Sequence, residues 1–305
     1  MTRKQFLKLG LGLAGAYVVG GTGARVLWEK YDLRLTEWEV PLPRLPRDLE
    51  GLRVAHLSDL HLSPEVPFDY LVESLEKSSQ LGADVVVLTG DILSTYYKLI
   101  EPYRAALAAV SAPRGKYAVL GNHDYFSRRT RAVVTMLQET GWTVLRNESV
   151  PLPGTGGRVW LLGLDDPVTG HDDMDKTMHG VPPEAVRVML AHTPDVIGPA
   201  AEHHVDLLLA GHTHGGQVVL PFIGPLAVPS EYGAKYAWGL FDYAGTRLEV
   251  TRGVGLVPPR VRFNCPPEIA LLTLRRGEWP LSAGNPSLVT HPYRRLRLLR
   301  RRLFR

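Results

Sequence analysis

Side chains able to hold a cation recur at five places in the chain. They are Asp59-Leu60-His61, Gly90-Asp91, Gly121-Asn122-His123-Asp124, a lone His192 before Thr193-Pro194, and Gly211-His212-Thr213-His214, each just past an apolar run. Carboxylate and amide oxygens suit hard divalent cations, whereas imidazole suits borderline transition metals. A set mixing Asp, Asn and His therefore favours Mn, Fe, Zn, Co or Ni over Ca or Mg. Asp-x-His in the turn after a strand can place both side chains on one ion. A separate Asp after the next strand can bridge two ions with its two oxygens, which brings them to about 4 Å, where both polarise one phosphate and one water. The second His-x-His, with His192, completes two coordination shells. Any one of these histidines alone would more often be a surface or hydrogen-bonded structural residue; their order and strand-end placement reverse that expectation.

The elements that must position these residues follow from periodicity. Leu52 to Leu57 reads as a buried strand ending at Ser58-Asp59, Tyr70 to Leu81 has helical spacing, and Ala83 to Leu88 is a second strand ending at Thr89-Gly90-Asp91. The pattern continues with a helix around Glu101 to Val110, a strand from Lys116 to Leu120 and a helix from Thr130 to Thr140. Alternation of this kind predicts α/β layers. Beyond Trp142 the chain turns β-rich, with short strands predicted at 144–145, 158–164, 186–191 and 205–210. A second sheet is expected from 217–219, 237–243, 248–252 and 268–273. The expected architecture is a four-layer α/β/β/α sandwich, two packed mixed sheets flanked by helices. Trp38 to Val40 and the proline-rich Pro41 to Pro46 read as an extended linker into the first core strand.

With 305 residues and 45% hydrophobic content, the chain can bury one large core. The seven arginines between His291 and Arg305 exceed the whole net charge of +4, so the rest of the chain is net acidic. That distribution, with no aromatic-basic stripe, weighs against nucleic acid and points to a basic tail that meets an anionic membrane surface. The single cysteine, Cys265, excludes an internal disulfide framework and reads as a small buried residue. Thr2-Arg3-Lys4-Gln5-Phe6-Leu7-Lys8, followed by an uncharged stretch from Leu9 to Ala24, reads as an export signal or an uncleaved membrane anchor. It is similar to a twin-arginine signal in which Lys4 replaces the second arginine. The expected organisation is a signal or anchor over 1–30, a linker over 31–51, a catalytic domain over 52–280 and a basic tail over 281–305.

Asp59, His61, Asp91, Asn122, His123, His192, His212 and His214 resemble, in order and local context, the motifs of the calcineurin-like metallophosphoesterase superfamily, over roughly Leu52 to Leu274. Thr251-Arg252-Gly253, Arg262-Phe263-Asn264 and Pro267-Glu268-Ile269 resemble a branch of exported or membrane-associated bacterial phosphoesterases. The resemblance implies Asp59, His61 and His214 on one metal, Asn122, His192 and His212 on the other, and Asp91 between them. It implies that His123 is a catalytic group near the leaving-group oxygen rather than a ligand, with Asp124 as the residue that orients its ring. The implied reaction is attack of a two-metal-activated hydroxide on a phosphomonoester or phosphodiester. A lipid-linked pyrophosphatase of the UDP-diacylglucosamine type and a non-catalytic membrane-associated scaffold are the alternatives. Arg252 is a candidate phosphate contact or a salt bridge closing a sheet. His56 is expected in the core, His203 and His204 in solvent, and Asp165 or Asp166 near the cleft, without a further metal at the Asp165 to Asp175 acids.

Overall fold

The computed structural model describes residues 28–94, 101–279 and 294–295. The expected signal or anchor and most of the basic tail lie outside the described residues. Two sheets form the centre. In the first, β2 (Arg53–Leu57), β3 (Val85–Thr89), β4 (Lys116–Val119) and β5 (Thr143–Val144) run parallel. β14 (Glu268–Arg276) lies antiparallel beside β2, β1 (Arg34–Leu42) runs parallel to β14, and the two residues Arg294–Arg295 pair antiparallel with β1. The second sheet has β7 (Val159–Gly163), β8 (Val186–Leu190), β9 (Leu207–Ala210) and β13 (Thr246–Val250) in parallel, closed by antiparallel β6 (Glu148–Pro151) and β12 (Gly239–Tyr243). Each parallel pair needs a crossover, and the right-handed crossovers put helices on the outer faces.

Alternation along the strands sorts the core into three apolar layers. Val85 and Val87 of β3 face the second sheet, meeting Val186, Val188, Leu207 and Leu209, while Val86 and Leu88 face outward onto helices. Those helices are α1 (Phe68–Gln80), α2 (Arg104–Ala109) and α4 (Thr130–Glu139), which bury Leu71, Leu75, Leu107 and Met136. On the other side Met189, Leu208 and Ala210 pack against Ile197 and Ala200 of α6 (Ile197–Glu202). Two short helices complete the set, α3 (Asn122–Phe126) and α5 (Met174–Met178). The four-layer α/β/β/α sandwich expected from the sequence is the fold.

Three sequence expectations are corrected. Residues 34–42, read as linker, form the nine-residue strand β1, because Trp38, Val40 and Leu42 alternate onto the inter-sheet core. Pro41 is tolerated there, although proline cannot donate to a ladder. Residues 268–276 belong to the first sheet rather than the second, since β14 fills the place between β1 and β2. The strand near 217–219 is in neither sheet; Val219–Leu220 (β10) pairs with Gly224–Pro225 (β11) in a small hairpin, and Val218 bridges to Phe263.

One buried ion pair ties these strands together at the end where β2 to β4 terminate. Glu268 opens β14 and accepts from the Arg252 guanidinium, the Arg252 backbone N–H at 2.9 Å and the Thr36 hydroxyl of β1. Arg252 and Glu268 are both 1% exposed, so of its two sequence readings Arg252 makes the salt bridge and has no access to a soluble phosphate. Burial pushes the Glu268 carboxyl up, but Arg252 and the other donors outweigh it and leave it below the ordinary carboxylate value. A depressed carboxylate contributes stability above its unfolded pKa and loses it as pH falls through the folded one. Glu268→Gln should therefore lower unfolding free energy at neutral pH by about 3–5 kcal/mol, the cost of stranding a buried partner charge. Chemical denaturation should show the gap between variant and wild type closing as the pH is lowered below the carboxylate range.

Candidate metal centre

Every candidate cation-binding side chain lies within a few residues past the end of a strand. Asp59 and His61 follow β2, Asp91 follows β3, Asn122 and His123 follow β4, His192 follows β8, and His212 and His214 follow β9. The contributing strands come from both sheets, so the side chains meet in the seam where the sheets splay apart. Five of these residues adopt left-handed backbone with positive φ: Asp59 (55°), His61 (46°), Asp91 (50°), His212 (68°) and His214 (51°). Non-glycine residues reach that region at a cost of about 1–3 kcal/mol each, and such outliers cluster at functional sites. Two glycines make room: a Cβ on Gly211 would lie 2.0 Å from Ser58 Oγ, and one on Gly121 would lie 2.3 Å from Asp91 Oδ1.

The donor atoms form two groups that share Asp91. In the first, His61 Nε2 lies 3.1 Å from His214 Nε2, and Asp59 Oδ1 is 3.4 Å from His214 Nε2 and 3.8 Å from His61 Nε2. In the second, His192 Nε2 lies 3.1 Å from His212 Nδ1. Asp91 Oδ2 faces both, at 3.5 Å from His61 Nε2 and 3.3 Å from His192 Nε2. Its Oδ1 is occupied by the His123 backbone N–H at 2.8 Å. A single oxygen of Asp91 thus stands between the groups, in place of the expected division of its two oxygens.

These residues fit divalent cations. Asp59 Oδ1 and Asn122 Oδ1 are buried with no hydrogen-bond partner, an expensive state for polar oxygens in a protein interior. Donors about 2.1 Å from a common ion would sit about 3–3.5 Å apart, the spacing of every side-chain pair given above except Asp59 Oδ1 to His61 Nε2 at 3.8 Å. Burial lowers His61 to about 3, with nearby imidazolium charge adding to the effect, and lowers His212 to about 3 in the same way. It drives His214 well below its ordinary value, so these rings are neutral with lone pairs available. His192 donates through Nδ1 to the Thr89 carbonyl at 2.8 Å, which turns Nε2 toward the centre. Burial opposes its protonation, but without a cation the adjoining Asp91 carboxylate overrides that and holds His192 up to about 10.

His123 lies at the edge of the centre, still close enough to His61 and Asp91 for the three to form a group able to hold a metal ion. Its side chain is 27% exposed, against 0% for His61 and His192, and its Nε2 is 4.0 Å from Asp91 Oδ2. The ring meets His61 edge-on at 4.7 Å between centroids and has Phe126 on its outer side at 6.1 Å. Asp124 does not take the expected place behind that ring. Its carboxylate accepts the backbone N–H groups of Ile92, Leu93 and Gly121, at 3.3, 2.9 and 3.0 Å, locking the Asp91 and Asn122 loops together. Burial, reinforced by Asp91, raises the Asp124 carboxyl to about 7.

The remaining candidates sort cleanly. His56 is buried between the sheets, bonded to Glu249 and Thr89, and Cys265 is buried. His204 is exposed and His203 partly so. Asp165 accepts from Tyr125 Oη at 2.7 Å and Arg146 Nε at 2.9 Å, and the Tyr125 ring stacks on His171 at 4.0 Å. This Tyr125, Arg146 and His171 flank beside His123 was not found in the sequence, where the three lie far apart without a shared motif. Arg262 is likewise a builder of the site. Fully buried, it donates to the carbonyls of Arg252, Gly253, Gly255 and Cys265, fixing the loop that backs Asp59.

Residues 52–216, more than half of the chain, match the family model described as calcineurin-like phosphoesterase. This chain belongs to that family and is a metallophosphoesterase. An uncharacterised metallophosphoesterase, YkuE of Bacillus subtilis, is 32% identical over 90% of this chain and 98% of its own length. The UDP-2,3-diacylglucosamine pyrophosphatase LpxG of Chlamydia trachomatis is 28% identical over 79% of this chain and 88% of its own. A transmembrane protein with a metallophosphoesterase domain from Danio rerio is 28% identical over 80% of this chain, which spans 57% of that protein. Among the described residues no helix is long and apolar enough to cross a membrane.

Ligands and bystander can be told apart by metal content. Asp91→Asn, Asn122→Ala and His214→Ala should each lower tightly bound divalent metal relative to wild type after equal loading and desalting, read by elemental analysis. His123→Ala should retain the wild-type content; loss of an ion from that variant would make His123 a ligand.

Proposed function

We propose that the chain hydrolyses a phosphoric ester bond at a centre of two divalent cations. Asp59, His61 and His214 would hold one cation, Asn122, His192 and His212 the other, and Asp91 would join them through Oδ2. The observation that carries this reading is the pair of donor groups sharing one carboxylate oxygen, with buried oxygens left unpartnered beside it. Cations held there supply positive charge to phosphoryl oxygens and acidify a coordinated water. The chain's own contribution is arrangement. Neutral imidazoles and ionised carboxylates are fixed by strained loops before substrate arrives, so little reorganisation accompanies charge development. Asp91 also fixes His123 through the backbone N–H, setting the ring at the mouth, where Nε2 can protonate a departing oxygen. No side chain is needed as a covalent nucleophile.

A lipid-linked pyrophosphate is the second reading of the substrate, favoured by the relative named for UDP-2,3-diacylglucosamine. The exposed apolar side chains Phe126 (51%), in the helix that carries Asn122 and His123, and Val168 (46%), in the loop after β7, support the same reading. The non-catalytic scaffold does not fit the family or a ligand set this complete. We also propose an exported or membrane-anchored catalytic domain, a reading supported by the uncharged stretch from Leu9 to Ala24.

A metal-reconstituted screen of aryl monoesters, aryl diesters, nucleotides and lipid pyrophosphates, with and without detergent, tests the reaction. Hydrolysis should vanish after chelation and return with a transition metal, and activity that survives in metal-stripped Asp91→Asn would sink the assignment. His123→Ala should lower kcat by about 10²–10⁴. The loss should be largest for poor leaving groups such as alkyl esters and smallest for activated aryl esters, and a loss equal for both would remove the proton-donor role.

A further inference from the structure

Immediately after the His212 to Gln217 loop the chain runs Val218-Val219-Leu220-Pro221-Phe222-Ile223-Gly224-Pro225-Leu226-Ala227-Val228-Pro229, without a charged or polar side chain. None of these residues is buried. Phe222 is fully exposed, Ile223 is 73% and Leu226 60% exposed, at the tip and flank of the β10–β11 hairpin. An uninterrupted apolar projection of this kind is unusual on a soluble monomer and marks an interaction surface. The projection is firmly held. Gln217 donates to the Val257 and Pro259 carbonyls and accepts from the Val257 N–H, while Asn264 Nδ2 donates to the Val219 carbonyl at 3.0 Å. Gly216 packs so closely on Pro225 that a Cβ there would come within 2.5 Å of it. The hairpin is thus rigidly joined to the metal centre.

Register identifies what lies on the same end of the sandwich. Arg34 pairs with Glu268 and Ala270 with His56, so Arg34 stands level with Ser58, next to Asp59. Arg295 pairs with Arg34, so the backbone of Arg294–Arg295, within the arginine-rich sequence, lies at this end. The described chain also starts here: the Cys265 N–H donates to Glu29 Oε1 at 2.6 Å, and Cys265 Sγ donates to the His214 carbonyl at 3.3 Å. In the sequence, the uncharged stretch from Leu9 to Ala24 ends a few positions before Trp28, the first described residue. The apolar hairpin, the first described residues and the Arg294–Arg295 pairing share one end.

We propose that residues 218–229 insert into an anionic lipid bilayer, seating the mouth of the metal centre on the membrane surface. Apolar side chains at an interface reach about 5–10 Å into the headgroup and acyl boundary, and each nearby arginine adds attraction to an anionic leaflet. The consequence for substrate, which rests on the phosphoesterase reading, is a phosphate or pyrophosphate at headgroup depth with its lipid portion left in the bilayer.

The test uses the full chain with a single environment-sensitive NBD label. Cys265 is buried, so Phe222→Cys, or Ile223→Cys as a second tip position, carries the label. Glu50→Cys, exposed at the opposite end of β2, is the control. On phosphatidylcholine vesicles containing phosphatidylglycerol, the tip labels should shift to shorter wavelength and be quenched by lipid-borne nitroxide severalfold more than the control. Tip labels that stay water-like on vesicle-bound chain would overturn the proposal, leaving attachment to the termini alone. A blue shift that needs no vesicles and rises with protein concentration would also overturn it, in favour of a second copy of the chain. Hydrolysis of a soluble aryl diester, measured in parallel, reports the catalytic reading separately, because the fluorescence outcome does not depend on turnover.

Discussion

The structure turns on the crowding of lone pairs around Asp91 Oδ2. Imidazole nitrogens face one another at 3.1 Å in both donor groups, and carboxylate and amide oxygens lie buried without partners beside them. Five of the residues involved also occupy left-handed backbone. The buried oxygens without partners are unfavourable for an isolated chain and become favourable when positive charge occupies the points on which the donors converge. Binding of cations to the folded state alone therefore adds directly to its stability.

The fold supplies what the site costs. Three apolar layers give the sandwich a large core, and the ends of its parallel strands gather loops from both sheets at one seam. Behind these loops sits a second tier of buried polar groups, bonded to backbone and to one another. Asp124 holds three N–H groups, Arg262 holds four carbonyls, and Glu268 joins Arg252 to Thr36. These residues touch no substrate, yet they determine where the ligands point. They also give a physical account of the Thr251-Arg252-Gly253, Arg262-Phe263-Asn264 and Pro267-Glu268 segments, which bind the loop behind Asp59 to the first sheet.

The candidate ligands could be picked out in the sequence because the chemistry of cation binding restricts residue type, and strand-end motifs keep each candidate beside an apolar run. Most strands and helices around them were legible for the same reason of periodicity. What escaped was long-range. The membership of β1 and β14 in the first sheet depends on pairing across more than two hundred residues, which local pattern does not encode, and the prolines at 41, 43 and 46 disguised β1 as linker. Asp124 and Arg252 had the composition of catalytic groups, but their surroundings made them structural. The Tyr125, Arg146 and His171 flank arises only when α3 and the loop after β7 meet. The apolar hairpin shows the reverse case: its sequence looks like core, and only burial reveals that it projects into solvent.

The central claim is that two ions share Asp91, and magnetic resonance of the chain loaded with Mn²⁺ addresses it most directly. Two ions per chain joined by one carboxylate oxygen predict the multiline electron paramagnetic resonance spectrum of an exchange-coupled pair, and Asp91→Asn should abolish it. A simple six-line spectrum of an isolated ion from wild type at saturating Mn²⁺ would contradict the account.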